Sequence, residues 1–203
     1  MTVPTFDLTI TKGKTLAQSF GYHDEQLVYR NITAMPSKAP VRLTVAGHGV
    51  PDNWAVRIER TRAPAELNTL EGEYWTPLIV DADTLEFDQL DMVGARAFAP
   101  PSVLVYPRPA DLEGWKARMQ IRDRIGGAVL LSFSSDPADQ ADGTIEVDVA
   151  NSAFVIGLDA GQTAAISWSS GTYDLEAIRP DGAVVAVIGP SRVVIAPEVT
   201  VWA

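Results

Sequence analysis

The chain of 203 residues is long enough for one large domain or two small ones, and 16 basic against 26 acidic residues leave a formal net charge of −10. Such an acidic chain lacks the clustered positive charge that general nucleic-acid binding or docking on an anionic membrane requires. It contains no cysteine, which excludes disulfides, thiolate metal sites and a cysteine nucleophile. No apolar run approaches the ~20 residues that a membrane-spanning helix needs, so we expect no membrane span.

Apolar and polar side chains alternate through most of the chain, which predicts strands with one face on a core. The alternating segments are, in chain order, 6–10, 41–45, 54–58, 117–121, 145–149 and 173–177. Glycine-containing turn signals such as Gly126-Gly127 and Asp142-Gly143 separate them. A short connecting helix is predicted at 159–166, with Asp159 capping its first turn. Many short strands with frequent turns predict an all-β protein, a sandwich or a barrel.

Two proline-rich stretches indicate domain boundaries, because proline imposes extended connections and interrupts the hydrogen-bonded ladder of a sheet. One is 35–40 (MPSKAP), and the other runs from Pro100-Pro101 to Pro109. Between them lies a block of alternating segments that begins at Val41 and ends at Tyr106.

This block resembles a known small module. It contains a strand, Gly47-His48-Gly49, a second strand, Glu66-Leu67-Asn68 and then 80–87 (VDADTLEF). The pattern is similar to the first catalytic cysteine half-domain of ubiquitin-activating enzymes, copies of which occur widely in tailed-phage virion proteins. The resemblance implies a β-barrel-like module and, without any cysteine, no thioester chemistry. The family has Gly-Met before Glu-Leu-Asn where this chain has 63–65 (APA), so that loop departs from the pattern.

The flanking segments resemble a β-sandwich of phage tail and baseplate proteins, the N-terminal domain of baseplate upper proteins. In that family a Pro-x-Asp-Leu-x-Gly-aromatic segment directly follows the second N-terminal hairpin. Here the matching segment, 109–115 (PADLEGW), comes only after the small module. We therefore expect an antiparallel β-sandwich formed by 1–37 and 108–203, interrupted by a barrel-like module at 38–107.

The resemblances imply a non-enzymatic structural component of a tailed-phage particle, in the tail tip or baseplate or at a fibre attachment point. Its expected partners are other virion proteins, with several copies around a symmetry axis. We expect it in the virion, assembled in the host cytoplasm, with no cofactor. Two alternatives stay open: a capsid decoration or collar protein, and a module that binds host-surface carbohydrate. An enzyme acting on host glycans is the weakest alternative.

A basic stripe and three tryptophans are the candidate protein-contact residues. The stripe comprises Lys116, Arg118, Arg122 and Arg124. On a strand, positions 116, 118, 120 and 122 share one face, which would suit an acidic neighbour or simply be a solvated outer face. The tryptophans are Trp75, Trp168 and the near-terminal Trp202, because Trp54 and Trp115 fall on predicted inward faces. A plausible docking tail comprises residues 197–203.

Histidines and carboxylates offer no recognisable catalytic or metal-binding pattern. His48 is expected to be a turn histidine that bonds the backbone, and His23 to be exposed in a polar loop. Two isolated histidines do not build a zinc site. The acidic stretches 81–91 and 136–142 lack the fixed ligand spacing of a calcium-binding loop, so turn capping and solubility explain them.

Overall fold

The computed structural model describes residues 3–198 of the chain. Strands account for 49% and helices for 6% of the protein, which confirms the predicted all-β class. The chain forms two compact units. The outer unit ends its first segment at Tyr22 and resumes at Asp111, and the inserted unit spans His23–Ala110.

The unit boundaries lie at 22/23 and 110/111, whereas the sequence placed them at 37/38 and 107/108. Hydrogen bonding explains the difference, because β3 (His23–Asn31) pairs with β9 (Val103–Pro109) and β4 (Ala34–Lys38) pairs with β5 (Val41–Thr44). Both early strands therefore belong to the inserted unit. The first proline-rich stretch is not a linker: Pro36 lies in β4, which is an edge strand of its sheet, where a missing N–H donor is tolerated.

The outer unit contains one eight-stranded sheet. Its strands are β1 (Leu8–Thr11), β2 (Leu16–Gly21), β10 (Lys116–Arg122), β11 (Val129–Ser134), β12 (Gly143–Asp148), β13 (Ala153–Leu158), β14 (Ser170–Ile178) and β15 (Val184–Ala196). Their order across the sheet is β1-β15-β14-β10-β11-β12-β13-β2. Two pairings, β1 with β15 and β11 with β12, are parallel, although an antiparallel sheet was predicted. Alternation along one strand does not reveal the direction of its neighbour.

The eight-stranded sheet curls until it is nearly closed. Its two edge strands, β1 and β2, are consecutive in the chain and are joined only by residues 12–15. Such a link reaches at most about 3.6 Å per residue, so the two edges must lie near each other. Every strand contributes buried side chains to the interior, among them Ile10, Phe133, Phe154 and Tyr173.

The inserted unit has two small sheets around a shared core. One sheet has the order β3-β9-β6 and the other β4-β5-β8-β7, with β6 at Arg57–Glu59, β7 at Leu78–Asp81 and β8 at Thr84–Phe87. Side chains from both sheets, such as Ile58, Leu104, Leu43 and Phe87, meet in one apolar cluster. The predicted alternation at 41–45 is confirmed, because Val41, Leu43 and Val45 are all fully buried.

The predicted connecting helix is confirmed as α1 (Ala160–Ala164). Asp159 caps it by accepting a hydrogen bond from the Gln162 N–H at 2.7 Å, while the Gln162 side chain accepts from the Asp159 N–H at 2.7 Å. This reciprocal capping box stabilises a helix too short to persist alone. Within residues 3–198, no helix has the length and apolar character needed to cross a membrane.

Candidate functional site

A polar groove of about 560 Å³ lies over the outer face of β10 and its neighbours. The strand register arranges its floor in rows. Arg118 lies between Glu176 of β14 and Ser134 of β11. Gln120 lies between Asp174 and Ser132 in the next row. The opposite face of β10 is apolar and buried, so alternation along this strand separates the core from a surface of hydrogen-bonding side chains.

The predicted basic stripe exists, but local carboxylates neutralise three of its four charges. The ion pairs are Lys116 with Asp136, Arg118 with Glu176, and Arg124 with Asp123, at N···O distances of 2.7, 2.9 and 3.1 Å. The hydrogen bond between Lys116 and Asp136 lowers the pKa of the carboxyl and raises the pKa of the ammonium. Both groups are exposed, so the pair adds little stability. The stripe therefore keeps little net positive charge, which weakens the electrostatic reason to expect an acidic partner here.

Arg122 differs from the other cations of the stripe. It donates hydrogen bonds to Gln120 Oε1 and to the Gly127 carbonyl, each at 2.6 Å, and pairs with no carboxylate of residues 3–198. The groove is lined by two guanidinium groups, those of Arg118 and Arg122, and by three carboxylates, including Asp174 and Asp139. Its lining suits a neutral polar or mixed-charge partner.

Trp75, a predicted contact residue, is only partly exposed. Its side chain packs against the core of the inserted unit, with its ring 6.0 Å from that of Phe87. Reciprocal backbone hydrogen bonds with Val56, at 2.8 and 2.9 Å, hold it there. The preceding Tyr74 points outward instead: it is 56% exposed, and the Arg57 guanidinium lies 5.9 Å from its ring centre. Alternation predicts that one of the two aromatics faces the core, but not which one.

Trp168 lies in a second, smaller groove of about 330 Å³ in the outer unit. The groove is lined by Leu130, Leu131, Asp142, Gln162, Ala165, Ser167 and Trp168. The indole is partly exposed, between two exposed serines. Trp202 and most of the proposed docking tail at 197–203 lie outside the described residues.

The two histidines have structural surroundings. His48 is 2% exposed, its Nδ1 accepts the Val50 N–H at 3.0 Å, and its Nε2 lies 2.8 Å from the Asp81 carbonyl. Because Nδ1 accepts, Nε2 carries the proton and donates it, which confirms the predicted turn histidine. The Tyr106 hydroxyl also donates to the His48 carbonyl, and burial raises the pKa of that phenol. His23 is exposed, as predicted, but it begins β3 and does not lie in a loop; its ring lies 6.2 Å from that of Trp54.

The acidic stretches cap turns, as predicted. Asp81 accepts the Asp83 N–H at 2.8 Å, and this bond lowers the pKa of Asp81. Asp83 accepts the Gly47 N–H at 2.7 Å, and Asp136 accepts the Ala138 N–H at 3.0 Å. Among residues 3–198, no group of three or more carboxylate and histidine side chains is arranged to hold a metal ion.

The Glu66-Leu67-Asn68 motif has a structural role in the inserted unit. Leu67 is fully buried, while Asn68 bonds both backbone groups of Thr61. The Thr61 hydroxyl in turn bonds that of Ser102 at 2.7 Å, so the motif ties the loop to the chain near β9. The motif is thus explained by packing and hydrogen bonding.

An exposed edge strand, β3, was not predicted from the sequence. In residues 3–198, β3 pairs with β9 alone and forms one edge of its sheet. Leu27 and Tyr29, which point to one face of β3, are 44% and 55% exposed. The β-forming run Leu27-Val28-Tyr29 was a signal for the strand, but its edge position depends on pairing across about 80 residues of chain.

No protein-family model matches this chain, and no curated protein is significantly similar to it. The likeness to phage modules stays a prediction that rests on the motifs and their order.

Proposed function

We propose that this protein is a non-enzymatic structural subunit of a tailed-phage particle, in the tail tip or baseplate or at a fibre attachment point. It acts by docking on neighbouring virion proteins, in several copies around a symmetry axis. The motif order in the sequence supports the phage context. The edge strand β3 supports the docking mechanism and is the observation that carries it.

An edge strand offers unpaired backbone N–H and C=O groups to any extended segment that comes alongside. On β3 these groups accompany two large exposed side chains, Leu27 and Tyr29, at alternate positions. A bulge between His23 and Leu27 leaves 27–31 as the regular part of the strand. Five residues suffice for one added strand, whose backbone would bind through the ladder and whose apolar side chains would cover Leu27 and Tyr29.

The partner expected at β3 is an extended, apolar segment of a neighbouring virion protein. Next to the free edge, Asp24 forms an ion pair with Arg108, whose hydrogen bond and charge lower the pKa of that carboxyl although burial opposes the shift. This pair neutralises Asp24, and the contact at 27–31 is expected to depend on backbone pairing and apolar burial.

Quantitative mass spectrometry of purified source particles tests the proposal by counting copies against the major capsid protein. Three, six or twelve copies would support a place at the tail axis or baseplate. Hundreds of copies would instead favour the alternative of a capsid decoration protein. Absence from the particle would refute the structural function.

A variant at β3 tests the docking mechanism. Tyr29→Lys places a charge on the edge strand and should reduce incorporation into particles by about tenfold or more. Val184→Lys is the matched control, because Val184 is 51% exposed on β15 of the other unit. Equal incorporation of the two folded variants would contradict docking through β3.

A further inference from the structure

The Trp168 groove combines an aromatic side chain with polar groups that the protein leaves unused. The indole Nε1–H and the Ser167 hydroxyl form no hydrogen bond to any residue of 3–198. Asp142 uses Oδ2 to accept from the N–H and the hydroxyl of Ser132, at 2.8 and 2.9 Å, which leaves Oδ1 without a partner in the same part of the chain. The groove therefore offers a donor, an acceptor and a hydroxyl beside an indole.

The supporting side of the groove is rigidly held. Gln162 donates to the Asp142 carbonyl and accepts from the Asp159 N–H, so its amide joins α1 to the loop before β12. The bonds to Ser132 fix the carboxylate of Asp142 against β11. A site whose polar groups are held before a ligand arrives loses less entropy on binding.

We propose that this groove binds a neutral pyranose unit of a glycan. The apolar C–H face of a sugar ring packs against an indole, whose π-face carries partial negative charge. Sugar hydroxyls both donate and accept hydrogen bonds. They can therefore pair with the Trp168 Nε1–H, the Asp142 Oδ1 and the Ser167 hydroxyl. The volume of about 330 Å³ lies at the small end of ligand pockets, which suits one ring of a longer chain.

Charge excludes acidic sugars from this site. The Asp142 carboxylate lines the groove, no cation does, and the whole chain has a formal net charge of −10. An anionic ligand would meet repulsion both nearby and at long range. The free carboxylate oxygen of Asp142 also distinguishes this groove from the apolar contact expected of a protein partner at β3.

Nuclear magnetic resonance of the ¹⁵N-labelled full chain tests this inference without any phage particle, so its outcome is independent of the proposed function. The five tryptophans give indole N–H signals, and Trp168→Phe identifies that of Trp168. Methyl glucoside, methyl galactoside and N-acetylglucosamine are each titrated to millimolar concentrations. We expect at least one to shift the Trp168 signal saturably. The indole of Trp54, which donates to the Pro107 carbonyl at 2.9 Å, serves as the internal reference.

Two matched serine variants then test the geometry. Ser167→Ala should weaken sugar binding by about three- to tenfold, the effect of one hydrogen bond. Ser169→Ala, on the other side of Trp168 and also exposed, should leave it unchanged. Trp168→Ala should weaken binding by at least about tenfold. The inference is overturned if none of the three sugars shifts the Trp168 signal saturably, or if Ser169→Ala weakens binding as much as Ser167→Ala does.

Discussion

Replacing Asn68 by alanine should destabilise the inserted unit strongly. The Asn68 side chain accepts from the Thr61 N–H at 2.7 Å and donates to the carbonyls of Thr61 and Ala65 at 3.0 and 2.8 Å. A hydrogen bond contributes about 0.5–1.5 kcal/mol net, and a buried donor left unpaired costs about 1–3 kcal/mol. Because Thr61 is 6% exposed, its N–H has little access to water once Asn68 is truncated. The expected loss is therefore about 2–4 kcal/mol.

Differential scanning calorimetry measures this loss. For a unit of this size, each kcal/mol lowers the unfolding temperature by about 4–8 °C. Glu66→Ala is the control, because Glu66 lies in the same turn, is exposed, and should change stability by no more than about 0.5 kcal/mol. Asn68→Asp keeps the acceptor but turns a second oxygen toward two carbonyls, so it should be no more stable than Asn68→Ala. The reasoning is refuted if Asn68→Ala lowers the transition no further than Glu66→Ala.

Three further predictions concern the packing of both units. Trp75→Ala should cost about 2–4 kcal/mol of stability, because Trp75 packs against the core of the inserted unit, whereas Trp168→Ala should cost less than about 1 kcal/mol; similar melting shifts would contradict that packing role. Gly143→Ala should cost about 1–3 kcal/mol, because a Cβ there would lie 2.4 Å from the Phe133 ring, and Phe133→Leu should restore part of the loss in a double-mutant cycle. Additive losses would show that the two residues do not collide. Burial raises the pKa of Tyr173 to about 12. The stability that the neutral Tyr173 hydroxyl contributes should therefore be complete below pH 10 and disappear as the pH rises through about 12. The difference in unfolding free energy between wild type and Tyr173→Phe should shrink over that range, and a constant difference would contradict it.

The side-chain faces of individual strands were predictable from the sequence. Ala117, Met119 and Ile121 are buried on β10, and Tyr173, Leu175 and Ala177 on β14, as the alternation predicts. Both patterns succeed because side-chain direction in a strand depends only on parity along the chain. The Asp159 cap was equally predictable, since its partner is three residues away. The all-β class follows from the same local periodicities.

The surface properties were decided by strand pairing over long distances. Arg118 is neutralised by Glu176, 58 residues later in the chain, so the sequence alone suggested a positive stripe that the folded protein lacks. The groove above β10 also depends on long-range pairing, because its rows of polar side chains form only when β14 and β11 pair with β10 in this register. Neighbouring residues in one row belong to different segments, and a local pattern carries no information about which segments meet.

Strand order and unit boundaries also depended on the tertiary structure. β1 pairs with β15 from the other end of the chain, and β3 joins the inserted unit through β9. By itself the sequence determined which positions of β10 and β14 face the core, where a short helix begins and, through the absence of cysteine, that no thiol chemistry is present. Only the folded chain decided the partners of each strand, the ion pairs of the basic stripe, the packing of Trp75 against the core and the grooves at Arg118 and Trp168. The reason is physical: side-chain parity and capping are local interactions, whereas pairing register and charge neutralisation join residues far apart in sequence.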